Sequence, residues 1–277
     1  MSVFGFWNLK KLEASSLVAE FVDKEGVDFF FCCEGQRLDQ RFLVQKMIQK
    51  NKGGSLFEVT SPGLQDPGIR AFTRYPKLIV PIADTTRMRC FKISLPCIPV
   101  FIAAVVHGPT LRGTSRKNVD DAMSRLSRDL EFQKLNLGVN HSLVLGDFNS
   151  NPYDRGIVSA EGFHAIPDGA EVESRGERMI DGEKYSYHYN PMWNFLGDKT
   201  AGPPGTLYYR ESGSFQQQWH LFDQVMLSRG LLSHFDLDSV RIAECKYLDL
   251  IRPNGRIRGN RKNDKPDHLP IILESFT

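Results

Sequence analysis

The feature that most restricts this chain is the way its apolar runs end. They are short, and they stop on polar groups: "FGFWN" on Asn8, "VDFFFCCE" on Glu34, "VFIAAVVH" on His107, and "SLVLGDFN" on Asp147 and Asn149. Near the C-terminus "KPDHLPIILESF" sets Asp267 and His268 just ahead of another apolar run. Runs of roughly 4–8 apolar residues have the length of buried strands. Polar groups at the ends of neighbouring strands can gather on one rim of a sheet and form a crevice.

Helical patterns separate these runs. Leu12 to Glu25 carries Leu12, Leu17, Val18, Phe21 and Val22 near one face, and Asp39 to Lys50 is helical again. The segment from Thr114 to Leu137 predicts the longest helix, with Met123, Leu126, Leu130 and Leu137 on its buried face and Gly138 as its stop. Further strands are expected at 56–60, 69–73, 78–82, 88–94, 100–106, 142–145, 221–227, 240–245 and 269–276. From Pro152 to about Gln218 the pattern dissolves into a stretch rich in Gly, Pro and Tyr, read as one long irregular insert. Helices alternating with strands, together with meander-like stretches, predict an α/β fold of two packed mixed sheets with helices outside.

At 277 residues the chain suits one large domain, and no linker interrupts it. No run of about 18 apolar residues occurs, which excludes a membrane-spanning helix. "MSVFGFWNLKK" reads as a strand rather than a signal sequence, so a cytoplasmic protein is expected. Five cysteines, with no C-x-x-C spacing, argue against a zinc site or a disulfide framework.

Carboxylates and an amide are hard oxygen donors that suit Mg²⁺. Histidines beside them suit phosphate contact or proton transfer. Each residue taken alone is more often a turn residue or a helix cap. Asp223 in "WHLFDQVML" differs, because it interrupts an apolar strand. A buried acid needs a partner, and His268 is the natural one.

The ordered set "FWN" (6–8), "CCEG" (32–35), "GIRAFTR" (68–74), "VVHGP" (105–109), "LGDFNSNP" (145–152), "FDQVMLS" (222–228) and "PDHLPI" (266–271) resembles the endonuclease/exonuclease/phosphatase superfamily, the deoxyribonuclease-I-like group. The resemblance implies a four-layered α/β sandwich and Mg²⁺-dependent phosphoester hydrolysis, with Mn²⁺ able to substitute. It implies Asn8, Glu34 and Asp267 as metal-site residues. Asp147 would orient or deprotonate water, and Asn149 would position water or phosphate. His268, oriented by Asp223, would bind the phosphate, and His107 would be the second histidine. One departure is Cys33, where the family usually has Gln before the metal Glu.

Net charge is only +2, but basic residues cluster at Arg112, Arg116 and Lys117, and again from Arg252 to Lys265, including Arg258 and Arg261. Both clusters flank motif residues, His107 on one side and Asp267 on the other. With Tyr208 and Tyr209 they are the expected contacts to further phosphates and bases. Trp193 in "NPMWNFLG" is expected to pack beneath the insert. A nucleic acid is the first expected substrate; a phospholipid or inositol-phosphate headgroup is the alternative.

Overall fold

The computed structural model describes residues 1–50, 56–59, 68–197, 199–209, 218–258 and 265–276. Two large sheets dominate. The strands are β1 (Ser2–Asn8), β2 (Phe29–Cys33), β3 (Phe57–Glu58), β4 (Arg70–Thr73), β5 (Ile79–Asp84), β6 (Met88–Ile93), β7 (Phe101–His107), β8 (His141–Asp147), β9 (Ala165–Ile166), β10 (Glu177–Ile180), β11 (Glu183–Ser186), β12 (His188–Tyr189), β13 (Leu207–Tyr208), β14 (Trp219–His220), β15 (Asp223–Ser228), β16 (Phe235–Ile242) and β17 (Ile271–Ser275). The helices are α1 (Ser15–Lys24), α2 (Gln40–Lys50), α3 (Arg116–Leu137), α4 (Arg155–Val158) and α5 (Gly169–Arg175).

The first sheet has six strands in the order β16-β17-β1-β2-β4-β3; the second has seven, β5-β6-β7-β8-β15-β12-β9. Each has a long parallel pair joined through a helix, β1 and β2 through α1 and β7 and β8 through α3, and the second sheet adds the short parallel pair β9 and β12. A parallel pair needs such a crossover, and it directs both strand ends to the same rim.

Alternation of period two sorts the side chains into layers. From β1, Phe4 and Phe6 point at the second sheet, where Phe4 lies 6.3 Å from Phe101. Trp7 points the other way, onto Phe21 of α1. In β2, Phe29 stacks on Phe4 and Phe31 meets Phe91 across the core, while Phe30 faces Phe21. In β7, Phe101, Ala103 and Val105 join the core between the sheets; Ile102, Ala104 and Val106 join a second cluster with Val119, Met123, Leu126 and Leu130 of α3. The order of layers is therefore helices, sheet, sheet, helix, which is the sandwich expected.

Several expectations need correction. Leu137 is 40% exposed rather than buried. Gly138 takes a left-handed conformation, and the Val139 N–H then bonds the Lys134 carbonyl. This reversal brings Val139 back onto the core in place of Leu137. The insert is not uniformly irregular: β9 and β12 extend the second sheet, and β10 and β11 form a hairpin. The strand expected at 240–245 runs instead from Phe235 to Ile242, with a register shift between Asp236 and Arg241. It lies at the sheet edge, where charges such as Asp236 and Asp238 are tolerated and hide the apolar pattern. The described cysteines are all free.

Candidate active site

Strand register brings the polar ends together. His107 lies opposite Asp147 across β7 and β8, and Asp223 lies opposite Asp147 across β15 and β8. In the first sheet Asn8 is level with Cys33, so Glu34 follows directly beside it. β17 runs antiparallel to β1 on the other side, so Asp267 and His268 arrive at that same rim. Neighbouring strands are about 4.8 Å apart, which puts Glu34 and Asp267 on either flank of Asn8.

Two glycines allow this closeness. A Cβ on Gly146 would stand 2.0 Å from the Val106 carbonyl oxygen, and one on Gly108 would stand 2.3 Å from that of Phe148. The strand ends therefore pack backbone against backbone just where the acids leave them.

Asp147 is held at both carboxylate oxygens. The Asn8 Nδ2 donates to Oδ2 at 2.8 Å, linking the two sheets, and the Asn149 N–H donates to Oδ1 at 2.9 Å. The Asn149 amide in turn donates to the Gly108 carbonyl at 3.2 Å. Glu34 and Asn149 both adopt positive φ, 53° and 49°, a conformation that side chains other than glycine rarely take. Backbone held this way is common where a site fixes its groups in advance.

His268 is buried and sits between two acids. Its Nδ1 donates to Asp223 Oδ2 at 2.7 Å, and its Nε2 stands 4.0 Å from Asp147 Oδ2, beyond hydrogen-bond reach. Burial alone would lower its pKa; the carboxylates of Asp223 and Asp147 reverse that and push it up to about 10. Burial raises Asp223, and His268 opposes that rise. The proton of the pair resides on the imidazole, giving an imidazolium with one N–H still to offer. Trp7 Nε1 donates to the His268 carbonyl at 2.9 Å, and the Thr206 hydroxyl accepts the Asp223 N–H at 3.1 Å. Asp147, Asp223 and His268 are close enough together to suggest an ion site. With Nδ1 engaged and the ring protonated, His268 is no ligand, and the trio is a hydrogen-bonded Asp223–His268 pair facing Asp147, a relay in waiting for a bound group between them.

The rim oxygens outside that group that could hold a cation are those of Glu34 and Asp267, with the second lone pair of Asn8 Oδ1. Glu34 Oε1 is 3.6 Å from His107 Nε2, and Asp267 Oδ2 is 2.6 Å from Lys10 Nζ. Two carboxylates and an amide carbonyl at an open rim form a donor set that fits Mg²⁺, which keeps several of its waters.

Cys33 lies beneath the rim. Its thiol donates to the Val106 carbonyl at 3.4 Å, and burial raises its pKa well above the usual value. It stays a neutral tie between the sheets.

The basic residues sit further out. Arg112 and Lys117 are exposed, and Arg116 pairs with Asp154 at 3.0 Å. Arg258 is held by Asp249 at 2.8 Å, and Arg261 lies outside the described residues. Leu207 bridges to His268, so the next residue, Tyr208, opens a groove of about 530 Å³ beside the relay. Tyr208, Trp219 and Arg256 line that groove, and the Arg256 guanidinium lies 5.5 Å over the Tyr208 ring. Tyr209 stacks flat on His220 at 4.4 Å. Trp193 meets Tyr153 edge-on at 6.3 Å. Another cavity, of about 380 Å³, lies between α3 and the β10–β11 hairpin beside His188. His188 bonds Ser142 at the opposite end of β8 from Asp147, so that cavity is remote from the relay.

Sequence reasoning missed Lys10, Trp7 and Thr206. Lys10 stands two residues beyond Asn8, past the strand end, in a left-handed turn that the letters do not announce. Thr206, in the insert, carried none.

No family model and no curated protein sequence matches this chain. Solved structures do. An AP endonuclease from Archaeoglobus fulgidus matches with a TM-score of 0.56 at 11% identity, covering 100% of both chains. The human Nocturnin catalytic domain with a bound sulfate anion matches at 0.54 and 13% identity, over 99% of this chain and 94% of that one. D. rerio TDP2 complexed with single strand DNA product matches at 0.51 and 14% identity, over 100% and 99%. At such identity the likeness concerns the fold, which spans the whole chain.

Proposed function

We propose that this chain, which has the fold of the endonuclease/exonuclease/phosphatase proteins, is a divalent-cation-dependent phosphodiester hydrolase acting on nucleic acid. One observation carries the reading: an imidazolium locked on Asp223 faces a carboxylate locked by Asn8 and Asn149, at a rim that also bears Glu34 and Asp267.

The division of labour follows from charge. A phosphodiester is an anion, and its transition state gathers charge on the equatorial oxygens. His268, protonated near neutral pH, donates its Nε2–H to one of them. Asp147, acceptor-only and fixed, takes a proton from the water whose oxygen attacks phosphorus in line. As the opposite P–O bond breaks, its electron pair stays on the leaving oxygen, and His107 is the group suited to protonate it. Glu34 and Asp267, with Asn8, would hold Mg²⁺, or Mn²⁺ in its place; the ion supplies Lewis-acid stabilisation of phosphoryl charge. Asn149 orients the water or the phosphate.

Nucleic acid is preferred to a headgroup because the groove beside the relay pairs aromatic faces with cations. Tyr208, Tyr209, Arg112, Arg116, Lys117 and Arg258 are proposed to contact neighbouring nucleotides. Among the described residues no helix is long and apolar enough to cross a membrane.

The test is a panel of labelled DNA, RNA and phosphoinositide substrates with Mg²⁺, Mn²⁺ or EDTA. Cleavage of a nucleic acid is expected, abolished by EDTA. It should fall by at least about 100-fold in His268→Ala and in Asp147→Ala, the scale of removing one preorganised group. Turnover of phosphoinositide alone would transfer the site to headgroup chemistry. Undiminished, EDTA-resistant cleavage by Asp147→Ala would reject the mechanism.

A further inference from the structure

Lys10 is the one lysine joined to the carboxylates of the rim among the described residues, and its backbone is unusual. Lys10 and Lys11 have φ of 52° and 54°, two successive non-glycine residues in the left-handed region. Such residues are strained, so something must hold them there. The holders belong to the site itself. The Lys10 N–H donates to Asn8 Oδ1 at 2.9 Å, and the Lys11 N–H donates to the Glu34 carbonyl at 3.0 Å. The result is an ammonium set 2.6 Å from Asp267 Oδ2, with both side chains about 70% buried.

We propose that Lys10 is a tethered counter-ion that shares Asp267 with the divalent cation. In the metal-free protein it neutralises Asp267; when a cation takes that carboxylate, the ammonium is released next to it and engages the phosphate anion. The inference rests on the reading of Glu34 and Asp267 as the cation site. Charge supports it. Glu34, Asp147, Asp223 and Asp267 are four acids, and the basic groups facing them are Lys10, His268 and His107. The acids outnumber the basic groups that face them, which leaves the rim suited to a further cation. Without Lys10 the rim would be more negative and would hold that ion more tightly. A fixed cation competing at this range thus trades metal affinity for phosphate affinity.

The experiment uses the full chain and Mn²⁺ as the probe, with free ion followed by electron paramagnetic resonance and phosphate binding by calorimetry. Lys10→Gln is expected to bind Mn²⁺ more tightly, on the order of tenfold. At saturating Mn²⁺ it is expected to bind inorganic phosphate several-fold more weakly. Lys10→Arg, which keeps the charge, should resemble the parent in both measurements, and circular dichroism checks that each variant is folded. Equal Mn²⁺ affinity in parent and Lys10→Gln overturns the shared-carboxylate role while leaving the cation site standing. Tighter Mn²⁺ but unchanged phosphate binding overturns the transfer to phosphate. No Mn²⁺ binding by the parent or by Lys10→Gln overturns both this inference and the cation site on which it rests.

Discussion

Asp223 decides what His268 can do. It is fully buried, and its hydrogen bond at 2.7 Å keeps the imidazole protonated and turned. Asp223→Asn keeps the shape but removes the charge. We expect the His268 pKa, followed by NMR in the metal-free protein, to fall from about 10 toward its ordinary 6.5. Hydrolysis should drop by at least about 100-fold. The same change has a signature in stability. A raised folded-state pKa stabilises fully below pH 6.5, and that contribution fades as pH climbs through about 10. Urea midpoints of parent and variant should therefore differ most at pH 6 and converge toward pH 10. A pH-independent difference would show that Asp223 acts by packing alone. This pair was legible in the sequence because an acid inside "LFDQVML" must find a buried partner. Lys10 was not, because the pull of one ammonium on Asp267 depends on a backbone turn that the letters "NLKK" do not announce.

At the scale of single elements, β8 does the most positioning. It pairs with β7 and β15, and its end carries Asp147. Gly146 lets that end lie against Val106, with φ of 152° and room for no side chain. Gly146→Ala should destabilise the fold by about 3 kcal/mol or more, since neither backbone can retreat cheaply. Denaturant titration would measure this, and a loss under about 0.5 kcal/mol would mean the strands separate more easily than their packing implies. Strands built on continuous apolar letters were legible nearly to the residue, as β1 and β7 show. Two-residue strands such as β9 and β12 were not: a pair like Ala165 and Ile166 has no period to detect, and its place is set by what it joins. The end of α3 misled for a related reason, because helical periodicity extends Leu137 onto the core face while Gly138 folds Val139 there.

For the whole molecule, the two sheets meet through phenylalanine. Phe4 stacks on Phe29 at 4.9 Å and reaches Phe101 of the opposite sheet and Phe235 of β16. Phe4→Ala should cost about 3–5 kcal/mol, the usual result of emptying a buried ring site. Because that ring touches both sheets, we expect tryptophan fluorescence and backbone circular dichroism to report one shared transition. Separate transitions would mean that the sheets melt independently. The layered architecture was legible because alternation assigns opposite faces of β1 and β7 to different neighbours. The order of strands within each sheet was not, since pairing partners so distant leave no local trace.

That order has one more consequence. β17 lies between β1 and β16, and Ser2 pairs with Ser275. During synthesis on a ribosome, β1 emerges early and must wait for its neighbour until nearly all the intervening residues have been translated. His268 and Asp267 arrive with that same late strand, so a nascent chain stalled before it exposes an unfinished sheet edge and holds no working relay.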